Sequence, residues 1–323
     1  MQRSAGLSKP PGEPAIFGPA RPVRRRSMEP HHRRRRWLAI AALIAGVLVA
    51  ILLIVGGGGR ARSAAVAGPP RDGFFDRIHE LAGSGPASLA ARETAAENTA
   101  ISRTLAYTPY VRIAGSQHRE IALTFDDGPG PYTLQILSIL ERHDVPATFF
   151  EVGVLERYFY GSTAAIVADG DAIGDHTEAH AAMSTLSLAG QRRQLLADAA
   201  AVERRGARFP RLFRPPYGMW NQTTLALLHR YRMLMVLWTV DTGDYRRPGV
   251  NAIVRAALAG ARPGAIILLH DAGGDRAQTV KALPRIIAGL RRRGYRLVTV
   301  PRLLFDNPAP RVQNIAAVIG AGG

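Results

Sequence analysis

From about residue 116 onward, short apolar runs of strand length alternate with longer stretches that carry apolar residues at three- and four-residue spacing. No other feature restricts the possible folds as much. The short runs fall at 121–125, 147–152, 172–174, 212–214, 234–240, 265–269 and 296–300, and helical periodicity marks 187–205, 221–231, 250–261 and 278–293. Repeated β-α units of this kind imply a parallel sheet or a barrel. In either, functional groups collect where strands end and the connecting loops emerge.

The chemically useful side chains lie on that rim. Asp126 and Asp127 stop an apolar run before Gly128-Pro129, and His176, Arg214, Asp241 and His270 each stand at a strand end or within two residues of one. A carboxylate closing a buried strand needs a cation, a metal or several donors. An acid before Gly-Pro is also a common turn former. His176-Thr177-Glu178-Ala179-His180 sets two imidazoles four residues apart, which on one helical turn share a face and grip one metal. Thr177 stands where the zinc-protease motif has its catalytic Glu, so the base must come from elsewhere. Asp126 as base and Asp127 as third ligand complete such a site. Arg214-Pro215-Pro216-Tyr217-Gly218 reads as a stiff loop able to hold a backbone N–H towards an oxyanion, with Arg214 paired to Asp126. His270 is a usable acid near neutral pH if a carboxylate such as Asp241 raises its pKa.

The 323 residues suffice for two average domains or one large α/β domain, and 47% hydrophobic composition excludes disorder throughout. With no cysteine, disulfides, thiolate ligands and cysteine nucleophiles are all excluded, leaving histidines and carboxylates as metal ligands. A formal charge of +17 points to nucleic acid only until it is located, because residues 1–62 carry +10 of it. That basic block flanks an apolar span. Membrane topology explains it, and no nucleic-acid partner is expected.

The span is 37–55, 19 residues without a charge. As a helix it reaches about 28 Å, against a hydrocarbon core of about 30 Å. Arginine runs at 24–26 and 33–36 precede it and only Arg60 and Arg62 follow closely, so residues 1–36 read as a cytoplasmic tail and everything after the span as exported. A cleaved export signal is the competing reading, from Arg35-Arg36 and the small residues Ala65-Val66-Ala67, and it too exports the rest. Residues 56–115 read as a Gly/Ala/Pro tether followed by a helix-compatible stalk, and 306–323 as a C-terminal tail.

Thr124-Phe125-Asp126-Asp127-Gly128-Pro129, then residues 176–180, 214–218, 241–245 and 268–270, resemble in order the five motifs of the polysaccharide deacetylases, carbohydrate esterase family four, over residues 116–305. The resemblance implies a distorted (β/α) barrel, here of about seven parallel strands, and metal-dependent removal of N-acetyl or sometimes O-acetyl groups from polysaccharides. Position by position, it implies Asp127, His176 and His180 as metal ligands, Asp126 as base and Arg214 as the residue that orients it. It further implies His270 as acid with Asp241 tuning it, the Tyr217 N–H at the oxyanion, and Leu268 with Trp238 lining the acetyl pocket. Zinc is the default metal for two imidazoles and a carboxylate, with cobalt, nickel or another divalent ion as alternatives.

Two positions depart from the family pattern: Tyr245 stands where Trp is usual, and Asp175 where Asn is common. Tyr217 and Trp220 read either as a sugar platform or as packing residues. The expectation is a monomeric, single-pass membrane enzyme that removes N-acetyl groups from cell-envelope glycan such as peptidoglycan or chitin-like oligomers. A sugar-binding pseudoenzyme and an O-acetyl esterase on xylan-type glycan are the alternatives.

Overall fold

The computed structural model describes residues 86–314, so the expected cytoplasmic tail, membrane span and tether, and residues 315–323, lie outside the described residues. No described helix is long and apolar enough to cross a membrane. Among the described residues, nine strands form one sheet: β1 (Tyr110–Val111), β2 (Glu120–Gly128), β3 (Thr148–Glu151), β4 (Ala172–Asp175), β5 (Leu212–Phe213), β6 (Leu234–Val236), β7 (Val240–Asp241), β8 (Ala265–His270) and β9 (Arg296–Leu297). Their order is β1-β6-β5-β4-β3-β2-β8-β7, with β9 beside β2, and all these pairings are parallel. The helices are α1 (Pro86–Leu105), α2 (Thr133–Arg142), α3 (Tyr160–Asp169), α4 (Leu188–Glu203), α5 (Gln222–Tyr231), α6 (Val250–Ala259), α7 (Ala277–Arg292) and α8 (Val300–Asp306).

The apolar run 234–240, expected as one strand, is split between β6 and β7, which lie towards opposite ends of the strand order. Leu237 N–H donates to the Val111 carbonyl at 2.7 Å and Thr239 N–H to that of Ile266 at 2.9 Å, so the chain leaves one side of the sheet and joins the other. This crossing curls the sheet into a barrel-like shell.

Strand alternation divides β2 between two cores. Ile121, Leu123 and Phe125 pack outward with Ile136 of α2, Ile253 of α6 and Leu283 of α7. Ala122 belongs to the second core, with Phe150, Leu212, Leu234 and Ile266. Burying a side chain of this size contributes about 1.5–3 kcal/mol. Ile101 of α1 and Val300, Leu303 and Leu304 of α8 join that second core. Val300 N–H bonds Thr148 Oγ1 at the first residue of β3, which puts α8 at the end of the shell where strands begin.

Three local expectations change. Residues 86–105 do not stand apart as a stalk, because Ala100 and Ile101 of α1 are buried in the domain. The run 296–300 is strand only over Arg296–Leu297; Thr299 Oγ1 accepts the Arg302 N–H and Pro301 occupies the first turn, so α8 starts there. Helices α2 and α3 fill two connections outside the four stretches expected to be helical.

Candidate active site

Neighbouring strand residues point to opposite faces, so two adjacent acids reach one site only if the strand is disturbed between them. It is. Pairing with β3 shifts register between Asp126 and Gly128, and Asp127 adopts φ 75. Asp126 therefore continues the inward face of Thr124, and Asp127 is turned to the same rim.

The His176–His180 segment is a turn rather than the expected helical turn. Asp175 Oδ1 accepts the Thr177 N–H at 2.8 Å, and Thr177 and His180 have φ 71 and 52, which no right-handed helix accommodates. The two rings still meet, with centroids 5.0 Å apart. His176 is held by the sheet, since its N–H continues the ladder to the Glu151 carbonyl. Tyr217 has φ 58, so four of the seven described non-glycine residues with positive φ lie at this site. Strain of this kind persists only where surrounding structure over-determines it.

Asp127 Oδ1 lies 3.1 Å from His180 Nε2 and 3.6 Å from His176 Nε2, and one ligand atom from each of the three residues falls within 4.8 Å of the others. His176 Nδ1–H donates to the Arg214 carbonyl at 2.7 Å, leaving Nε2 with its lone pair towards Asp127. His180 Nδ1 is 3.0 Å from the Tyr217 hydroxyl. Both outer nitrogens are thus occupied and both inner ones converge with a carboxylate, a donor set that fits one divalent metal. Burial works to raise the Asp127 pKa, but bonds to His176 and His180 hold it well below the usual carboxylate range. Burial lowers the His176 pKa, and the charges of Asp126 and Asp127 carry it above its ordinary value.

Arg214 is fully buried. Its Nη1 donates to Asp126 Oδ1 at 2.6 Å and to Thr124 Oγ1 at 2.8 Å, its Nε to the Val236 carbonyl, and its plane lies 4.1 Å from the Phe150 ring centre. Asp126 Oδ2 is left 3.8 Å from His176 Nε2. One oxygen of this carboxylate is clamped and the other faces the metal ligands.

The acid that holds His270 is Asp244, not Asp241. Asp244 Oδ1 lies 2.7 Å from His270 Nδ1, while Oδ2 accepts the His270 backbone N–H and the Thr279 hydroxyl, each at 2.8 Å. Burial opposes the imidazolium, and Asp244 more than offsets it, so the His270 pKa is pushed up to about 9. Asp241 Oδ1 instead accepts the Gly243 N–H, closing the turn that delivers Asp244, and Oδ2 is 3.4 Å from the Tyr245 hydroxyl.

A cleft of about 570 Å³ brings these groups together, lined among others by Asp126, Asp127, His176, His180, Asp241 and His270. Tyr217, Trp238, Tyr245 and Leu268 supply its apolar wall, and Arg276 lies behind Asp127 with Nη2 4.0 Å from Oδ2. Trp220 is not part of it; this ring packs 6.3 Å from Tyr110 in a third apolar cluster, which removes it from the expected sugar platform. Tyr245 stands edge-on to His270 at 5.3 Å. Asp175 faces away from the metal ligands towards Asp198, and burial pushes both carboxyls up.

A protein-family model described as polysaccharide deacetylase matches residues 114–236. A chitooligosaccharide deacetylase of Bradyrhizobium sp. is 38% identical over 198 residues, covering 57% of this chain and 90% of that protein. A peptidoglycan-N-acetylglucosamine deacetylase of Bacillus cereus is 38% identical over 187 residues, covering 57% and 87%. Among solved structures, a peptidoglycan N-acetylglucosamine deacetylase in complex with 4-naphthalen-1-yl-N-oxidanyl-benzamide superposes with a TM-score of 0.60 at 32% identity, covering 62% of this chain and 94% of that one.

Proposed function

Because this chain belongs to the polysaccharide deacetylase family and is a polysaccharide N-deacetylase, we propose that it removes N-acetyl groups from amino sugars of cell-envelope glycan, peptidoglycan first and chitin-like oligomers second. The observation that carries this reading is the meeting, in one cleft, of the Asp127, His176 and His180 donor set with Asp126 fixed by Arg214 and His270 fixed by Asp244. Substrate preference is supported by relatives named for both glycans.

Asp127, His176 and His180 would hold the metal, and zinc suits two imidazoles and a carboxylate. When bound, such an ion polarises the acetyl carbonyl and makes a water a better nucleophile. Asp126 takes the proton of the attacking water through Oδ2, since Arg214 occupies Oδ1. The N–H of Tyr217, the first backbone donor after Pro215 and Pro216, donates to the oxyanion. His270, with Nδ1 tied to Asp244, gives its Nε2 proton to the departing nitrogen as the C–N bond breaks, leaving a free amine and acetate. Leu268 and Trp238 line the wall that receives the acetyl methyl. Asp241 acts one step removed, through the turn that places Asp244.

We place this activity outside the cell in a monomer anchored through residues 37–55, with the N-terminus cytoplasmic and residues 116–305 as the catalytic domain; the apolar span and its flanking arginines support that placement. The test is acetate release by the full-length protein from peptidoglycan, chitooligosaccharides and acetylated xylan, with zinc and with chelator. Zinc-dependent release from an N-acetylated glycan is expected. Zinc-loaded protein that binds these glycans without releasing acetate, or that acts only on xylan, overturns the reading.

A further inference from the structure

In a parallel β-α shell the strands deliver their carboxyl ends to one rim, so helix C-termini and the loops leading into the next strand collect at the opposite end. Here that opposite end is rich in unpaired arginine. Arg208 leads towards β5, Arg230 and Arg232 end α5, Arg262 precedes β8, and Arg292 ends α7. All five are exposed, and among the described residues none makes a side-chain hydrogen bond or salt bridge. Complementing helix dipoles accounts for Arg230 and Arg292, which sit in last turns. It does not account for Arg208 and Arg262, which lie beyond the helices.

A cavity of about 890 Å³ opens at the same end, lined by Glu93, Glu97 and Ile101 of α1 together with Arg208, Arg211 and Arg291. Helix α1 is thus the element through which the chain arrives from residues 1–85, and it packs where the arginines lie. The Gly/Ala/Pro tether expected from the sequence at 56–70 would have a root-mean-square reach of about 20 Å, which would keep a domain anchored through it within contact distance of the bilayer.

We propose that this basic end is a docking face for anionic phospholipid, so that the domain rests on its own membrane with the catalytic cleft directed away from it. The inference rests on the anchored reading above, not on the deacetylase chemistry. Strands of β2 and β8 length separate the two ends by about 20–30 Å, which holds the cleft outward towards the glycan. Each cation near an anionic surface strengthens attachment roughly fivefold, so several acting together suffice to orient a domain that is already tethered.

The chain contains no cysteine, so one introduced thiol can be labelled uniquely. Full-length protein carrying a fluorophore at His229→Cys, on the basic end, or at Leu134→Cys, on the catalytic rim, is placed in nanodiscs doped with a nitroxide-labelled quenching lipid. One set of discs is phosphatidylcholine, the other an equimolar mixture with phosphatidylglycerol. The His229 label should be quenched at least about twofold more in the anionic discs, the Leu134 label equally in both, and the difference should vanish at about 1 M salt, where the Debye length falls to about 3 Å. The Arg208→Ser/Arg232→Ser/Arg262→Ser variant should lose the lipid-dependent quenching yet release acetate from soluble chitooligosaccharide at the parent rate, which shows that it is folded. Equal quenching in both lipids, or a lipid dependence that survives both salt and the triple variant, overturns the proposal. So does a His229 label that responds to soluble polyphosphate but not to phosphatidylglycerol, which would assign the face to an anionic polymer.

Discussion

Asp244 grips His270 twice, through the ring at 2.7 Å and through the backbone N–H at 2.8 Å, so one carboxylate sets both the position and the proton affinity of this imidazole. The Thr279 hydroxyl fixes the carboxylate in turn. A positioned, protonated ring is what a leaving amine requires.

This pairing sets the alkaline side of the pH profile. The His270 pKa is raised to about 9, so the imidazolium persists below that pH and is lost as pH rises through it. Acid catalysis by the parent should therefore decline above about pH 9. Asp244→Asn removes the charge that raises the pKa and should bring the decline to lower pH while also cutting kcat, whereas Asp241→Asn should leave that limb in place. The pH dependence of kcat for the three proteins is the measurement; a limb that moves only in Asp241→Asn reverses the assignment.

Asp126 and Asp127 should separate by metal content. Asp126→Asn keeps the donor set and should retain zinc while kcat falls by roughly 10²–10⁴. Asp127→Asn should bind zinc weakly in an otherwise folded protein. Equilibrium dialysis read by atomic emission distinguishes the two, and equal zinc loss in both variants contradicts the division of labour.

Gly273 lies outside the motifs yet touches the metal ligand. A Cβ there would fall 2.2 Å from Asp127 Oδ2, at a φ of +71 that side chains seldom adopt. Gly273→Ala should push the Asp127 carboxylate aside and weaken zinc binding by roughly 10–100-fold, the range typical of disturbing a ligand's support. Calorimetric titration of the zinc-free protein would measure it.

Arg214 should prove structural as well as functional. Removing it strands the buried Asp126 charge, so Arg214→Ala should cost about 3–5 kcal/mol in urea unfolding. Arg214→Lys offers a single ammonium in place of the planar group that reaches Asp126, Thr124 and two carbonyls, and should recover only part of the loss.

Side-chain chemistry at strand ends made the main site legible, because buried strands rarely finish in acids, histidines or an arginine without a use for them. Asp126, Asp127, His176, His180, Arg214 and His270 all line or support one cleft. Asp244 escaped because the acid at the strand end, Asp241, looked like the partner. The signal was present in Asp241-Thr242-Gly243-Asp244, where an Asp two residues before a Gly marks a turn former and the acid beyond the turn is the free one. The histidine turn is not legible in the four-residue spacing, which says nothing about Asp175, whose side chain captures the Thr177 N–H and turns the chain away from a helix. The split of the run 234–240 was invisible because apolar periodicity does not record which neighbour a strand pairs with, and that depends on the far side of the sheet.

The left-handed backbone at Asp127, φ 75, bears on how such enzymes diverge. Asparagine tolerates this conformation much as aspartate does, whereas most other residues strain there. An aspartate codon becomes an asparagine codon by a single base change. A lineage with this fold can therefore shed its metal-binding charge without disturbing the strand that carries it, and recover the charge by the reverse step, so that descent through an inactive ancestor leaves almost no mark on the architecture.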